Sequence, residues 1–97
     1  MYQIKIPSSV KKDIKRLDKP VQREIRDKHF PEIKKNPYQA KPLRGKLKGI
    51  WAYHFSYRAT QYRIAYEIYP EEQMVLLVMR GKRGDFYEAL LRQLGLW

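Results

Sequence analysis

The sequence predicts an α+β fold in the order β-α-α-β-β-β-α, with a helical hairpin and a C-terminal helix packed on a curved antiparallel sheet. Two patterns predict it. Apolar residues recur at helical spacing in the first third of the chain, and apolar and polar residues alternate in much of the second half. A length of 97 residues suits one domain, so we expect residues 1–97 to fold as a single unit.

The first third should hold a strand and a helix. Alternation over positions 1–6 predicts a strand, which Pro7 ends. A helix should follow, with Ser8 or Ser9 as its N-cap. The stripe of this helix that faces the core consists of Val10, Ile14 and Leu17.

A second helix should complete a helical hairpin. Pro20 suits its first position, and the apolar pattern continues to about Lys35. Pro31 lies inside this pattern and must end or kink the helix, because proline has no N–H to donate. His29, in the same basic helix, is expected to be structural or solvated.

After a loop over Asn36–Pro42, three strands and a closing helix are expected. They are predicted at Gly49–Tyr57, Gln61–Tyr69, Met74–Arg80 and Asp85–Leu94. The chain should turn at residues 58–61 between the first two strands. Tyr53 and Tyr57 on the first strand are expected to pack in the core. The third strand is apolar on both faces, so it is predicted to be central.

The charge of the chain indicates its class of partner. Lys and Arg number 21 against 10 Asp and Glu, a net charge of +11. Such a field favours nucleic acid, with an acidic protein or a membrane surface as weaker possibilities. Two such surfaces repel, so we expect a monomer when the protein is free. The absence of cysteine, of a signal peptide and of a run of ~20 apolar residues is typical of a cytoplasmic protein without a membrane span.

Several classes of chemistry lack their sequence signals. His29 and His54 are far apart, and no carboxylate stands at ligand spacing beside either, so no metal is expected. The sequence has no Gly-rich phosphate loop, nucleophile elbow or dinucleotide fingerprint. We therefore expect no small-molecule cofactor.

A cluster of cations remains. Arg63 should point away from Tyr62 and Ile64, and the predicted hairpin can bring His54 to the same surface. Metal-free RNA cleavage needs a base for the 2′-hydroxyl, cations for the phosphate and an acid for the 5′-oxygen. Candidates for these roles crowd the approach to the middle strand and the end of the third strand: Lys41, Arg44, Lys46, Lys48, Lys82, Arg83 and Tyr87. Composition alone indicates only a basic nucleic-acid binder.

Three local patterns occur in order along the chain: Pro42-Leu43-Arg44-Gly45, Tyr62-Arg63-Ile64-Ala65-Tyr66 and Gly81-Lys82-Arg83-Gly84-Asp85-Phe86-Tyr87. With the order of elements, they make the chain similar to toxins of the RelE/ParE superfamily, and to the RelE branch in particular. The resemblance covers nearly all of the chain. It implies a metal-independent endoribonuclease, an mRNA interferase that cuts mRNA in the ribosomal 30S A site and is silenced by a cognate antitoxin, which we expect to be acidic.

The resemblance also implies roles for individual residues. Arg63 and Arg83 match the phosphate-holding arginines of the family, and Tyr87 matches its C-terminal tyrosine. The strand that carries catalytic lysines in the best-known members here has Ala52, His54 and Ser56. Either His54 takes over proton transfer, or the lysine roles pass to Lys46 or Lys48. The residues expected to bind RNA are Arg44, Lys46, Lys48 and Lys82.

Two other functions fit the same sequence. A ParE-like protein of this fold would poison DNA gyrase and cut nothing. A basic module could bind RNA or the ribosome without catalysis, because a fold does not determine a function.

Overall fold

One five-stranded sheet organises the chain. The structure, a computed structural model, describes residues 1–82, 90–92 and 95, with the backbone alone described from 79 to 82. The strands and longer helices are β1 (Gln3–Lys5), α1 (Ser8–Lys15), α2 (Lys19–Glu24), α3 (Phe30–Lys35), β2 (Lys41–Pro42), β3 (Ile50–Tyr57), β4 (Thr60–Tyr69) and β5 (Met74–Lys82). The strand order across the sheet is β1-β5-β4-β3-β2.

The predicted α+β fold is confirmed, with two differences in the sheet. Strands β3, β4 and β5 pair antiparallel as expected, and the unpredicted β2 pairs antiparallel with β3. Strand β1, however, pairs parallel to β5, with Gln3 opposite Met74. Parallel pairing needs a long crossover connection, and residues 6–73, which include the helical hairpin and strands β2 to β4, provide it. The third predicted strand, β5, is internal but not central; β4 has the middle position. Strand β5 is apolar on both faces because both faces are covered, as at Leu77 and Val78.

The predicted loop over Asn36–Pro42 contains structure of its own. A 3₁₀ turn at Pro37–Gln39 leads into the two-residue strand β2. Lys41 lies opposite Ala52, and Pro42 lies opposite Trp51. Proline is tolerated here because β2 is an edge strand. The last predicted helix is represented by a helical turn at residues 90–92, and the rest of Asp85–Leu94 lies outside the described residues.

The helical hairpin begins earlier than expected. The carbonyl of Pro7 accepts a hydrogen bond from the Lys11 N–H at 2.9 Å, so Ser8 is already in the first turn of α1. No side chain caps this helix. The predicted N-cap role of Ser8 or Ser9 is therefore wrong.

A π turn joins α2 to α3 directly before Pro31. It spans Ile25–His29, and the Phe30 N–H bonds to the Ile25 carbonyl. Pro31 has no N–H, so it cannot continue the regular hydrogen-bond ladder. The wider turn is one of the recognised ways in which a helix departs from regular geometry. The predicted interruption is thus accommodated as a π turn, and the chain stays helical to Lys35.

His29, in the π turn, fastens the hairpin to the sheet. Its side chain is buried, and its ring stacks on Phe55 with centroids 3.9 Å apart. The Tyr53 Oη is 2.8 Å from Nδ1, and the Glu24 Oε2 is 3.1 Å from Nε2. An ionised carboxylate only accepts hydrogen bonds, so in the neutral ring Nε2 donates to Glu24 and Nδ1 accepts from Tyr53. His29 is therefore structural, which is one of the two roles, structural or solvated, expected from the sequence.

Apolar clusters cover both faces of the sheet. The larger lies between the helices and the sheet and contains Val10, Val21, Ile25, Ile33, Phe55, Tyr62, Ile64, Tyr66, Val75 and Leu77. Tyr53 and Tyr57 pack against its edge, as predicted. The smaller cluster on the opposite face contains Leu43, Leu47, Ile50, Ala52, Ala65 and Leu90. The buried Tyr66 Oη donates to the Pro37 carbonyl at 2.6 Å, and burial raises the pKa of Tyr66.

A two-residue turn sets the register between β3 and β4. Tyr57 pairs with Thr60, and the two residues between them, Arg58 and Ala59, both have positive φ, 48° and 66°. Such turns match the twist of the strands but usually contain Asn or Gly. The left-handed conformation costs an L-residue with a Cβ roughly 1–2 kcal/mol. The turn is shorter than predicted, and β4 begins one residue earlier, at Thr60.

This strain predicts that Ala59→Gly stabilises the protein. Glycine adopts positive φ without the steric cost of a Cβ, so the free energy of unfolding should rise by about 0.5–1 kcal/mol. The matched control is Ala40→Gly, because Ala40 has an ordinary φ of −75°. There the flexibility of glycine in the unfolded chain should lower stability by a similar amount. Urea unfolding measures both, and a loss of stability in Ala59→Gly would contradict the prediction.

The burial of His29 predicts a stability that falls in acid. Burial lowers the pKa of His29 below its usual 6.5, and the charges of Glu24 and Glu32 only partly offset this. The unfolded chain therefore binds more protons once the pH falls below about 6.5, so stability is lost on acidification through this range. His29→Gln does not titrate, so its free energy of unfolding should decline less between pH 7.5 and pH 5.

His54→Gln is the control for that measurement, because the pKa of His54 is also lowered. Urea unfolding at both pH values gives the contribution of each histidine. Equal declines in wild type and His29→Gln would show that the buried ring does not contribute to acid sensitivity.

Candidate functional site

His54 and Arg63 lie directly opposite each other on β3 and β4. Opposite residues in an antiparallel pair point to the same face, with Cβ atoms about 5 Å apart. Their neighbours Phe55 and Tyr62 belong to the helix-side cluster, so His54 and Arg63 lie on the other face of the sheet. The structure thus brings together two of the residues predicted from the sequence.

Lys41 lies on the same face. Lys41 is opposite Ala52, and Ala52 is two residues before His54 on β3. Lys41 and His54 are therefore diagonal neighbours. Diagonal Cβ atoms lie about 7–8 Å apart, within reach of a long side chain. Between β2 and β3 there is a cleft of about 400 Å³, which we call the histidine cleft. It is lined by Gln39, Ala40, Lys41, Ala52, Tyr53 and His54.

The electrostatics of the cleft favour the neutral form of His54. Its side chain is exposed overall, but the protein around it removes part of its hydration, and this lowers the pKa of His54. The positive charges of Arg63 and Lys41 lower it further. At pH 7 the imidazole is therefore mostly unprotonated and able to accept a proton.

A second cleft, of about 590 Å³, lies on the other side of Lys41, and we call it the loop cleft. It is lined by Lys41, Pro42, Leu43, Arg44 and Leu47. Arg44, predicted to bind RNA, thus shares a cleft with Lys41 but not with His54.

Lys46 and Lys48 are exposed and line neither cleft. They belong to the segment that leads into β3, which starts at Ile50. His54 is four residues farther along this strand, about 13 Å at the usual rise. The backbone thus places both lysines away from His54 and Arg63, and the alternative that the lysine roles pass to Lys46 or Lys48 stays a prediction.

The remaining predicted residues lie at or beyond the end of β5. Lys82 is the last residue of the strand and is opposite Tyr62, and Gly81 is opposite Arg63. The backbone of β5 therefore runs beside Arg63. Arg83 and Tyr87 lie outside the described residues.

Neither a metal group nor a membrane span is found in the part of the chain that is described. Within residues 1–82 and 90–92, no three His, Cys, Asp or Glu side chains are arranged to hold a metal ion. Over the same residues, no helix is long and apolar enough to cross a bilayer.

Sequence reasoning did not distinguish Lys41 from the other cations of its segment. Its position depends on β2, which is only two residues long and includes a proline. Two residues show no alternation, so the pattern gives no signal for pairing. The lysine beside His54 became identifiable only once the register with Ala52 was known.

The solved structures of similar fold include toxins and toxin–antitoxin complexes. A chain of the RelBE2 toxin–antitoxin complex from Mycobacterium tuberculosis is 24% identical, with a TM-score of 0.71, over 84% of this chain and 98% of that one. A chain of the intact E. coli RelBE complex is 22% identical, with a TM-score of 0.69, over 87% and 99%. A double-arginine mutant of E. coli RelE in the free state is 20% identical, with a TM-score of 0.74, over 95% and 92%.

At these identities the likeness shows a shared fold. No curated protein sequence is significantly similar to this chain. Residues 4–91 match the family model for ParE-like toxins of type II bacterial toxin–antitoxin systems. The chain therefore belongs to this toxin family, within the RelE/ParE superfamily.

Proposed function

We propose that this toxin is a metal-independent endoribonuclease that cuts mRNA in the 30S A site of the ribosome. The observation that carries the proposal is the direct pairing of His54 with Arg63 on the face of the sheet opposite the helical hairpin. A neutral imidazole beside a guanidinium provides a proton acceptor and a phosphate ligand within one site.

In the proposed reaction, His54 removes the proton of a ribose 2′-hydroxyl. The 2′-oxygen then forms a bond to the adjacent phosphorus, and the bond from phosphorus to the 5′-oxygen breaks. The leaving oxygen takes up a proton, so the products are a 2′,3′-cyclic phosphate and a 5′-hydroxyl. The reaction needs no oxidant, because one bond to phosphorus forms as another breaks and one proton is transferred at each oxygen.

Arg63 holds the phosphate as negative charge develops on it. The proposal also includes Arg83 as a second phosphate ligand and Tyr87 as a group that assists proton transfer. Both of these roles rest on the family resemblance alone. The exposed cations Arg44, Lys46 and Lys48, together with Lys82, would bind the RNA backbone farther from the reacting atoms.

The ribosome would supply the alignment that this small, open site does not. A sheet surface with a shallow cleft gives little control over the angle between a 2′-oxygen and a phosphorus. Holding reactants in line provides a large part of the barrier reduction in such reactions. The isolated protein should therefore be a poor nuclease on free RNA.

We also propose an acidic antitoxin as partner, with the free toxin a monomer. Among the solved relatives is a complex of mutant E. coli RelE with a peptide of the antitoxin RelB. In this chain, a groove of about 370 Å³ in the helical hairpin has Ile14, Ile25 and Phe30 among its lining residues. Lys11, Lys15, Lys19, Arg23 and Arg26 also line it. An amphipathic acidic segment would match both the apolar and the cationic residues.

Inhibition of DNA gyrase is the second candidate function. The family model that matches residues 4–91 is that of the ParE-like toxins. A gyrase inhibitor would not need a base and a phosphate ligand side by side. RNA-end mapping and a gyrase supercoiling assay on the same preparation would separate the two functions.

Arg63→Ala should abolish toxicity without unfolding the protein. Loss of one donor to the developing charge typically slows such reactions by about 10²–10³-fold. After induction in a bacterium, new RNA ends within translated frames should appear with wild type and disappear with Arg63→Ala. Arg58→Ala is the matched control, because Arg58 lies at the tip of the same hairpin and contacts the Tyr57 ring. Full cleavage by Arg63→Ala at normal expression would refute the assignment of Arg63.

His54→Gln should remove the acid limb of the pH–rate profile. If His54 is the base, cleavage slows as the pH falls through its pKa, which lies below 6.5, and levels off above it. Single-turnover cleavage on programmed ribosomes between pH 5.5 and pH 8 measures this limb. His29→Gln, which changes a buried histidine on the helix side of the sheet, is the control for effects on folding. A His54→Gln variant with the rate and profile of wild type would assign the base to another residue.

A further inference from the structure

We propose that Lys41 is a further substrate-contacting residue, whose ammonium binds the scissile phosphodiester of the RNA together with Arg63. The inference rests on the proposed function and adds to it a residue that the resemblance does not provide. It follows from the position of Lys41 on the sheet, the space around it and the charge of its surroundings.

Lys41 reaches the site from the opposite side to Arg63. Arg63 is on β4 and Lys41 is on β2, so the two cations flank His54 from the two strands that pair with β3. A phosphate held by both cations would lie beside the imidazole. That is where a base must be to take the proton of the neighbouring 2′-hydroxyl.

The small side chain of Ala52 leaves space for the Lys41 side chain to approach His54. Ala52 is directly opposite Lys41 and is 1% exposed, so it contributes little more than a methyl group to the histidine cleft. A lysine side chain is long enough to cross one residue position along a neighbouring strand. The charge of Lys41 also lowers the pKa of His54. Lys41 thus places a positive charge beside Ala52, which carries no charge itself.

The surroundings of Lys41 favour an anionic ligand. None of the described residues that line the histidine cleft is acidic. Among the described residues, no carboxylate forms an ion pair with Lys41. Lys41 is exposed, so its ammonium is available to a ligand that enters the cleft.

The backbone at Lys41 is held by the sheet. Lys41 and Pro42 pair with β3, and the Leu43 N–H bonds to the Ile50 carbonyl at 2.9 Å. A side chain on a paired strand is positioned more precisely than one on a loop. Lys46 and Lys48, on the exposed segment before β3, lack this support.

The test compares Lys41→Met and Lys41→Arg with the control Lys5→Met. Methionine keeps much of the length of lysine and removes the charge. Lys5 is exposed on β1, the edge strand at the other side of the sheet, so its substitution changes net charge equally. In single-turnover cleavage on programmed ribosomes, Lys41→Met should be about 10–100-fold slower, by analogy with a lost charge-stabilising donor. Lys41→Arg should keep a larger part of the rate, and Lys5→Met should match wild type.

A second measurement does not depend on cleavage. The imidazole resonances of the free full-length protein are followed during titration with a short 2′-deoxy oligonucleotide, which cannot be cut. His54 should respond, and the buried His29 serves as the internal reference. In Lys41→Met the oligonucleotide should bind more weakly, and the pKa of His54 should rise because a nearby positive charge is gone.

Failure of the proposed function can be distinguished from failure of the inference about Lys41. If wild type makes no new RNA ends, the proposed function is wrong, and the oligonucleotide titration alone decides whether Lys41 binds phosphodiesters. If wild type cleaves and binds, and Lys41→Met does both within twofold of wild type, the inference about Lys41 is overturned. If the cleavage rate and the oligonucleotide affinity of Lys41→Met are unchanged but the pKa of His54 shifts, the inference is also overturned. Lys41 would then lie near His54 without contacting the RNA, which is not the proposed role.

Discussion

The register between β3 and β4 is the constraint on which both the core and the site depend. Side chains alternate between faces along a strand, so a slip of β4 by one residue against β3 would turn Arg63 into the helix-side core and Tyr62 to the opposite face. The two-residue turn sets this register, with Arg58 and Ala59 in a conformation that L-residues seldom adopt. The burial of the aromatic rings opposes the slip, and the steric cost of the turn is offset by that burial.

The two histidines show why a shifted pKa does not by itself identify a catalytic residue. Burial is the largest cause of a lowered pKa at both His29 and His54. His29 is enclosed, stacked on Phe55, and has both ring nitrogens in hydrogen bonds to protein groups. His54 is exposed, lines a cleft and has two cations as neighbours. Access for a substrate, more than the direction of the pKa shift, separates the structural histidine from the candidate base.

The sequence predicted what local patterns encode. Alternation along β3 and β4 predicted the faces of His54 and Arg63, and the expected turn allowed them to share one surface. Their direct pairing depends on a turn two residues shorter than the predicted one. The parallel pairing of β1 with β5 joins segments about seventy residues apart, which no local pattern reports. The kink at Pro31 was derivable from its missing N–H, but the π turn that accommodates it depends on packing around His29. Lys41 required the register of a two-residue strand, so it could not be ranked above Lys46 or Lys48.

The cations beside His54 have opposite consequences before and after RNA binds. In the free protein, Arg63 and Lys41 lower the pKa of His54, which keeps the ring neutral at pH 7 but makes it a weaker base. In the proposed complex, the charge of the bound phosphate offsets these cations, so the imidazole gains affinity for a proton only when the substrate is in place. The same phosphate lies next to the 2′-hydroxyl that must lose its proton. The two cations would therefore hold the substrate and also make the strength of the base depend on its presence.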